Sequence, residues 1–165
     1  MKDIFEARSL ATLAAIGSLF AALCFAAPAH AAGPTCDPGD ATQVRLQISV
    51  SGMRSLKGSI SITIYPDDAV HFLDGKYKLA RQAFPVVIPV THACFVVAAP
   101  GYYAVALYQD ENNNGHFDTN ALGLPIEGYG FSNNPTLYVG PPGLSRVRFA
   151  AHAGDNPIAV RLKYY

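Results

Sequence analysis

The sequence predicts an all-β domain in which about seven strands pack as an antiparallel sandwich with a long inserted loop. Apolar and polar residues alternate in several short segments, which is the pattern of strands with one buried face. The segments between these strands are too short for the helical crossovers that parallel sheets require.

The first two strands are the clearest. Apolar residues alternate with polar ones over Val44–Val50 and again over Ile60–Ile64. The segment between them contains Gly52 and Gly58, which suit a turn. Two such runs on either side of a glycine-containing turn predict an antiparallel hairpin with one buried face.

The middle of the chain is less regular. Residues 67–73 are predicted to form one helical turn that ends at Gly75. Strands are predicted to resume at Ala83–Val90 and Ala93–Ala98. Pro85 and Pro89 cannot donate to a strand ladder, so the first of these segments is expected to be an edge strand or a bulge.

A strand at Tyr102–Gln109 leads into residues 110–143, which are rich in Asn, Gly, Pro and aromatic residues. A loop of this length is usually functional or held by its own packing. Two final strands are predicted at Arg146–Ala151 and Pro157–Tyr165. Two packed sheets of the immunoglobulin-like or prealbumin-like kind fit these elements, and a closed barrel is the alternative.

The N-terminus has the composition of an export signal. Met1–Leu10 is short and polar, and Leu10–Phe25 is almost wholly apolar but shorter than the roughly 20 residues of a membrane span. Ala29–Ala31 fits a cleavage site, and Leu23 before Cys24 breaks the lipoprotein pattern. We predict a signal peptide at 1–31, an N-terminal segment at 32–43 and one domain at 44–165, periplasmic or secreted.

Charge and cysteine content narrow the function further. A formal net charge of zero disfavours nucleic acid and anionic membrane surfaces as partners. No segment after the signal is long and apolar enough to be a transmembrane helix. Cys36 and Cys94 are predicted to form a disulfide in an exported protein, and two unrelated thiols are the alternative.

The segment Asp110–Asp118 has the spacing of a calcium loop. Counting from Asp110, side-chain oxygens fall at positions 1, 3, 5 and 9, and Gly115 at position 6 permits the sharp turn. Position 12 is Ala121 instead of the glutamate of an EF-hand, so Glu127 is expected to supply the missing carboxylate. The predicted ligands are Asp110, Asn112, Asn114, His116 through its carbonyl, Asp118 and Glu127.

The charge pattern around this loop also favours a cation. No Lys or Arg occurs between Arg81 and Arg146, whereas four acidic residues do. We expect weak binding, with a dissociation constant of about 10⁻⁴–10⁻³ M. The alternative is a solvated turn in which Asn and Asp side chains bond to their own backbone.

Aromatic and amide residues follow the loop. Tyr129 and Phe131 are separated by glycine and could present their rings to a sugar or a peptide. The alternative is that these rings plug one end of the sandwich core, and that Asn133 and Asn134 make turn hydrogen bonds. The four residues form the predicted binding surface.

The central sequence resembles one bacterial family. The resemblance is carried by the runs Gly101–Val105, Asp110–Gly115 and Leu122–Asn134, and it extends from about Val44 to Tyr164. The family is the one catalogued as domain of unknown function 2141. The resemblance implies a small exported β-domain, and it implies no activity or ligand.

The sequence offers little support for an enzyme, because it has no nucleophile elbow, HExxH motif or Walker loop. We expect a non-catalytic envelope domain whose loop, stabilised by calcium, presents a surface to an envelope protein or a glycan. One alternative is a structural or assembly partner bound through the strand edge at Pro85 and Pro89. The other is a glycan hydrolase that uses two of the loop carboxylates.

Overall fold

The computed structural model describes residues 41–137 and 140–165. The predicted signal peptide, most of the segment 32–43 and Cys36 lie outside the described residues. The described part contains eight strands and one helical turn: β1 (Val44–Ser51), β2 (Ser59–Pro66), β3 (Ala80–Pro85), β4 (Val90–Val97), β5 (Gly101–Asp110), β6 (Tyr129–Phe131), α1 (Leu144–Val147), β7 (Phe149–Ala151) and β8 (Gly154–Arg161).

The strands form two separate sheets, as predicted for a sandwich. One sheet has the order β4-β1-β8, and the other has the order β3-β2-β5-β6 with β7 also paired to β5. Side chains of β1, β4 and β8 pack against those of β2 and β5 in one apolar core. Phe84 and Phe95 connect the two sheets, with ring centroids 5.7 Å apart.

The antiparallel prediction is wrong for one strand pair. β8 runs parallel to β1, with Val44 opposite Gly154 and Ser51 opposite Arg161. The chain crosses from the five-stranded sheet to the three-stranded sheet between β7 and β8, and it enters β8 in the direction of β1. A crossover between sheets allows a parallel pair without a long helical connection.

The predicted helical turn at 67–73 is absent. The Asp68 carboxylate instead accepts hydrogen bonds from the backbone N–H groups of Val70 and His71, and Leu73 has a φ of 72°. The helical turn of the structure is α1, which occupies the start of the strand predicted at Arg146–Ala151. That strand is consequently shortened to β7.

The edge position predicted for the proline-containing strand is confirmed. β3 lies at the edge of the five-stranded sheet, but it spans Ala80–Pro85 instead of the predicted Ala83–Val90. Residues 86–89, which include Pro89, form the connection to β4. β6 was not predicted, because it consists of three residues within the Gly-rich segment.

β2, in the five-stranded sheet, is buried on both faces, whereas the alternation in its sequence predicts one buried face. The side chains of Ser61, Thr63 and Tyr65 are at most 6% exposed, although they point away from the main core. A second apolar cluster includes Tyr65 and is otherwise built from Phe131, Leu144 and residues of β5 and the connecting segments. The long loops therefore form an additional layer over the outer face of this sheet.

Gly58 fixes the connection between β1 and β2 against the end of β5. It has a φ of 69°, and a Cβ at this position would lie 1.7 Å from the backbone oxygen of Asp110. No other residue fits this contact, because the obstacle is backbone.

We expect Gly58→Ala to lower the free energy of unfolding by at least about 2 kcal/mol, since both the positive φ and the backbone clash oppose a Cβ. Gly75→Ala is the matched control, because a Cβ there would meet nothing within 4 Å. Urea unfolding of the two variants measures the difference. Equal stability of the two would contradict the close approach of Gly58 and Asp110.

Candidate functional site

The acidic loop after β5 closes on its own backbone. Asp110 is 4% exposed, and its two carboxylate oxygens accept hydrogen bonds from the N–H groups of Asn114 and Gly115 at 3.1 and 2.8 Å. Asn113 and Gly115 have positive φ angles, which produce the tight turn. Gly115 therefore permits a sharp turn around Asp110, as the spacing of the loop predicts.

The amide side chains of the loop converge on Asp118. Asn112 and Asn114 each donate an Nδ2 hydrogen to Asp118 Oδ2, at 2.7 and 2.9 Å. Asn114 Oδ1 accepts the backbone N–H of His116 at 2.8 Å. The structure thus brings the predicted loop residues together through hydrogen bonds among themselves.

Glu127 joins the two ends of the loop. Its Oε1 accepts the backbone N–H of Glu111 and its Oε2 accepts that of Asp118, both at 3.1 Å. Glu127 is 3% exposed, and burial raises its pKa above the usual value for a glutamate. The two N–H donors oppose this rise, and the nearby carboxylates of Asp118 and Asp110 add to it.

A cation from a distant segment reaches the loop. Arg54, between β1 and β2, donates from Nε and Nη2 to the two oxygens of Glu111 at 3.0 and 2.5 Å. Arg54 holds the pKa of Glu111 below its usual value through this hydrogen bond. The absence of Lys and Arg from the local sequence therefore does not leave the loop without counter-charge.

These contacts bear on the predicted calcium site. Five predicted ligands, namely Asp110, Asn112, Asn114, Asp118 and Glu127, lie in one hydrogen-bonded network. Their oxygens accept hydrogen bonds from the loop itself, and the amide nitrogens of Asn112 and Asn114 face Asp118. Within the described residues, no group of three or more His, Cys, Asp or Glu side chains is placed to hold a metal. Calcium binding stays a prediction.

A cavity lies beside this loop on the outer face of the five-stranded sheet. It has a volume of about 360 Å³, and its floor includes Thr63 of β2 and Ala106 of β5. Phe117 and Leu124 of the acidic loop form part of its wall. Six aromatic side chains line the cavity: Tyr65, Tyr108, Phe117, Tyr129, Phe131 and Tyr165.

All of these aromatic side chains except Tyr65 form one continuous chain of ring contacts. Phe117 lies 5.5 Å from Tyr108 and 5.6 Å from Tyr129, measured between centroids. Tyr129 stacks on Tyr165 at 6.1 Å and meets Phe131 edge-on at 6.2 Å. Burial raises the pKa of Tyr129 to about 12, and contact with Tyr165 adds to that rise. The ring of Phe117 thus connects the acidic loop to the cavity.

Among the described residues that line the cavity, one is basic. Arg81 of β3 lies opposite Thr63 of β2, and its Nε donates to Thr63 Oγ1 at 2.8 Å. No Asp, Glu or His side chain is among the described residues that line the cavity. Its character is therefore apolar and aromatic, with one positive charge near the floor.

The predicted binding-surface residues lie in two places. Tyr129 and Phe131 line the cavity, and Phe131 also packs in the outer apolar layer. Asn133 and Asn134 have positive φ angles and donate their amide hydrogens to the carbonyls of Arg148 and Ala159. These asparagines hold a turn between β6 and the last strands.

Sequence reasoning missed most of the cavity. Thr63, Arg81, Ala106 and Tyr165 come from four distant segments, and none belongs to a motif. The one available signal was the polar face of β2, which carries a tyrosine and a threonine. Cys94, the described member of the predicted disulfide, lies in β4. Its predicted partner Cys36 lies outside the described residues, so the pairing stays a prediction.

Comparison with known proteins gives one match. A family model described as an uncharacterized protein conserved in bacteria (DUF2141) matches residues 48–159. Neither the curated proteins nor the solved structures contain a match. In the described part of the chain, no helix has the length and apolar character needed to cross a membrane.

Proposed function

The chain belongs to the DUF2141 family of uncharacterised bacterial proteins, and we propose that it is an exported, non-catalytic domain that binds a small molecule. The observation that carries this proposal is the cavity beside the acidic loop. Its volume of about 360 Å³ falls within the range of ligand pockets, roughly 300–1,000 Å³. Its aromatic lining is also typical of such pockets.

The chemistry of the lining favours binding over catalysis. The polar groups at the cavity are the Arg81 guanidinium, two threonine hydroxyls and tyrosine hydroxyls. General acid–base or nucleophilic catalysis most often uses His, Asp, Glu, Cys or Ser, and none of these is among the described lining residues. The carboxylates of the acidic loop lie outside the cavity lining and are engaged in hydrogen bonds.

Two features support an extracytoplasmic location, in the periplasm or outside the cell. The N-terminal sequence has the pattern of a signal peptide. Cys36 and Cys94 are predicted to form a disulfide, and such bonds persist mainly in oxidising compartments. Both features fit a domain that meets its ligand in the cell envelope.

Filling the cavity tests this function. Ala106 lies on the cavity floor, so Ala106→Phe should place a ring in the cavity and leave the core between the sheets intact. We expect the uncharged dye N-phenyl-1-naphthylamine to bind the unmodified protein with a saturable rise in emission, and Ala106→Phe to abolish that rise. Fluorescence titration measures both.

Ala98→Phe is the control, because Ala98 is exposed beyond β4 in the other sheet. It should leave dye binding unchanged. Circular dichroism checks that both variants fold. Equal dye binding by a folded Ala106→Phe variant and the unmodified protein would reject the cavity as the site.

Calcium binding by the acidic loop is a second proposal. It is favoured by the convergence of Asp110, Asn112, Asn114, Asp118 and Glu127, whose oxygens could turn towards a cation in exchange for their present partners. Because Phe117 lies within this loop, calcium would also stabilise one wall of the cavity.

Calcium added to metal-free protein should raise the melting temperature on the order of 5 °C at about 10 mM, whereas magnesium should not. Asp118→Asn should remove the calcium response, and Asp74→Asn, in an exposed turn, should retain it. Thermal unfolding followed by circular dichroism measures the shift. No rise up to about 10 mM calcium would reject the site.

A further inference from the structure

We propose that the cavity selects a planar, mostly apolar ligand that carries one negative charge, and that Arg81 binds this charge. This inference rests on the proposed function, because it names the class of ligand for the same cavity. Aromatic carboxylates and sulfonates are members of that class.

Arg81 is positioned to bind an anionic group in the cavity. Arg81 lies on the edge strand β3, and its Nε is fixed by Thr63 Oγ1 at 2.8 Å on the cavity floor. A guanidinium has five N–H donors in a planar fork, and this contact uses one of them. Tyr65 is a second neighbour of Arg81. Burial raises the pKa of Tyr65, and the charge of Arg81 and its hydrogen bond to Tyr65 oppose part of that rise. The guanidinium is thus held in place with further donors for a ligand.

The charged residues that precede Arg81 in the sequence are mostly basic. Leu73 and Arg81 both line the cavity, and the segment from residue 74 to residue 81 leads from one to the other. It contains three basic residues, Lys76, Lys78 and Arg81, and one acidic residue, Asp74. Asp74 is exposed and accepts the backbone N–H of Lys76. The basic excess of this segment, which ends at the cavity residue Arg81, favours an anion.

The acidic loop on the opposite side is already neutralised in part. Glu111 is paired with Arg54, and Asp118 accepts two amide hydrogen bonds. Neither side chain lines the cavity. The one ionic side chain that a ligand meets among the described lining residues is therefore Arg81.

The shape of the ligand follows from the walls. The rings of Tyr108, Phe117 and Tyr129 make a continuous aromatic surface, which favours contact with another planar apolar group. Arginine binds carboxylates and sulfonates through paired, charge-assisted hydrogen bonds, and these are stronger than neutral ones. A ring system for the walls and an anionic group for Arg81 together define the class.

Two dyes that share one ring system test the inference on the full-length processed protein. 8-Anilinonaphthalene-1-sulfonate carries a sulfonate, and N-phenyl-1-naphthylamine lacks it. We expect Arg81→Met to weaken binding of the anionic dye about tenfold or more and to change binding of the neutral dye less than about twofold. Arg161→Met, at an exposed site on β8, should change neither.

Further measurements place the site and show the role of charge. Ala106→Phe should abolish binding of both dyes if they occupy the cavity. Added salt should weaken the anionic dye in the unmodified protein and have less effect in Arg81→Met. Unfolding curves of the arginine variants show whether the fold is retained.

Each result has one meaning. If neither dye binds the unmodified protein, the proposed binding function fails. If both dyes bind and Arg81→Met leaves the anionic dye unaffected, the cavity stands as a site and the anionic class is wrong. If Arg81→Met weakens both dyes equally, Arg81 acts on the shape of the cavity, and the inference is again overturned.

Discussion

The two hydrogen bonds that the Glu127 carboxylate accepts are the interaction on which the acidic loop and the neighbouring cavity wall depend. The two carboxylate oxygens accept one N–H from each end of the acidic loop, at Glu111 and at Asp118, and so a buried side chain closes the loop. Phe117, which precedes Asp118, is thereby held against Tyr108 and Tyr129. The residues that follow Glu127 enter β6, so the same contact positions a wall and a strand of the cavity.

The close packing around Gly128 strengthens this arrangement. Its carbonyl accepts the N–H of Gln109, and a Cβ on it would lie 2.3 Å from the ring of Tyr164. Tyr164 donates its hydroxyl to Gln109 Oε1, and Gln109 donates Nε2 to the carbonyls of Ser55 and Lys57. The β1–β2 connection, the end of β5 and the C-terminal segment therefore meet where the loop closes. Every buried side-chain nitrogen and oxygen among the described residues has a hydrogen-bond partner.

Much of the fold could be predicted from the sequence, because strand periodicity is a local property. The alternation in Val44–Val50 and Ile60–Ile64 identified β1 and β2, and the family resemblance agrees with the match over residues 48–159. The parallel pairing of β8 could not be read in this way, since strand direction depends on the path of the chain between sheets. The helical turn α1 was also missed, and its last two residues were assigned to the strand predicted at Arg146–Ala151, because four residues are too few to show a helical period.

The spacing of Asp, Asn and Gly residues predicted the acidic loop, but the sequence did not show that an arginine from another segment pairs with it. Arg54 is far from Glu111 in sequence, and only the fold brings the two together. The cavity was missed for the same reason: Arg81, Ala106 and Tyr165 become neighbours through strand pairing and loop closure. Tyr129 and Phe131 were identified as ring-bearing residues, and the structure shows that their rings line a concave surface.

The most direct test of this account is the stability of Glu127→Gln beside that of Asp74→Asn. In Glu127→Gln one carboxylate oxygen becomes an amide nitrogen that faces a backbone N–H, whereas the exposed turn at Asp74 retains its acceptor oxygen. The account predicts a loss of about 1–3 kcal/mol in the free energy of unfolding for Glu127→Gln, with weaker dye binding in the cavity, and no change for Asp74→Asn. Unfolding and dye binding that are unchanged in Glu127→Gln would contradict it.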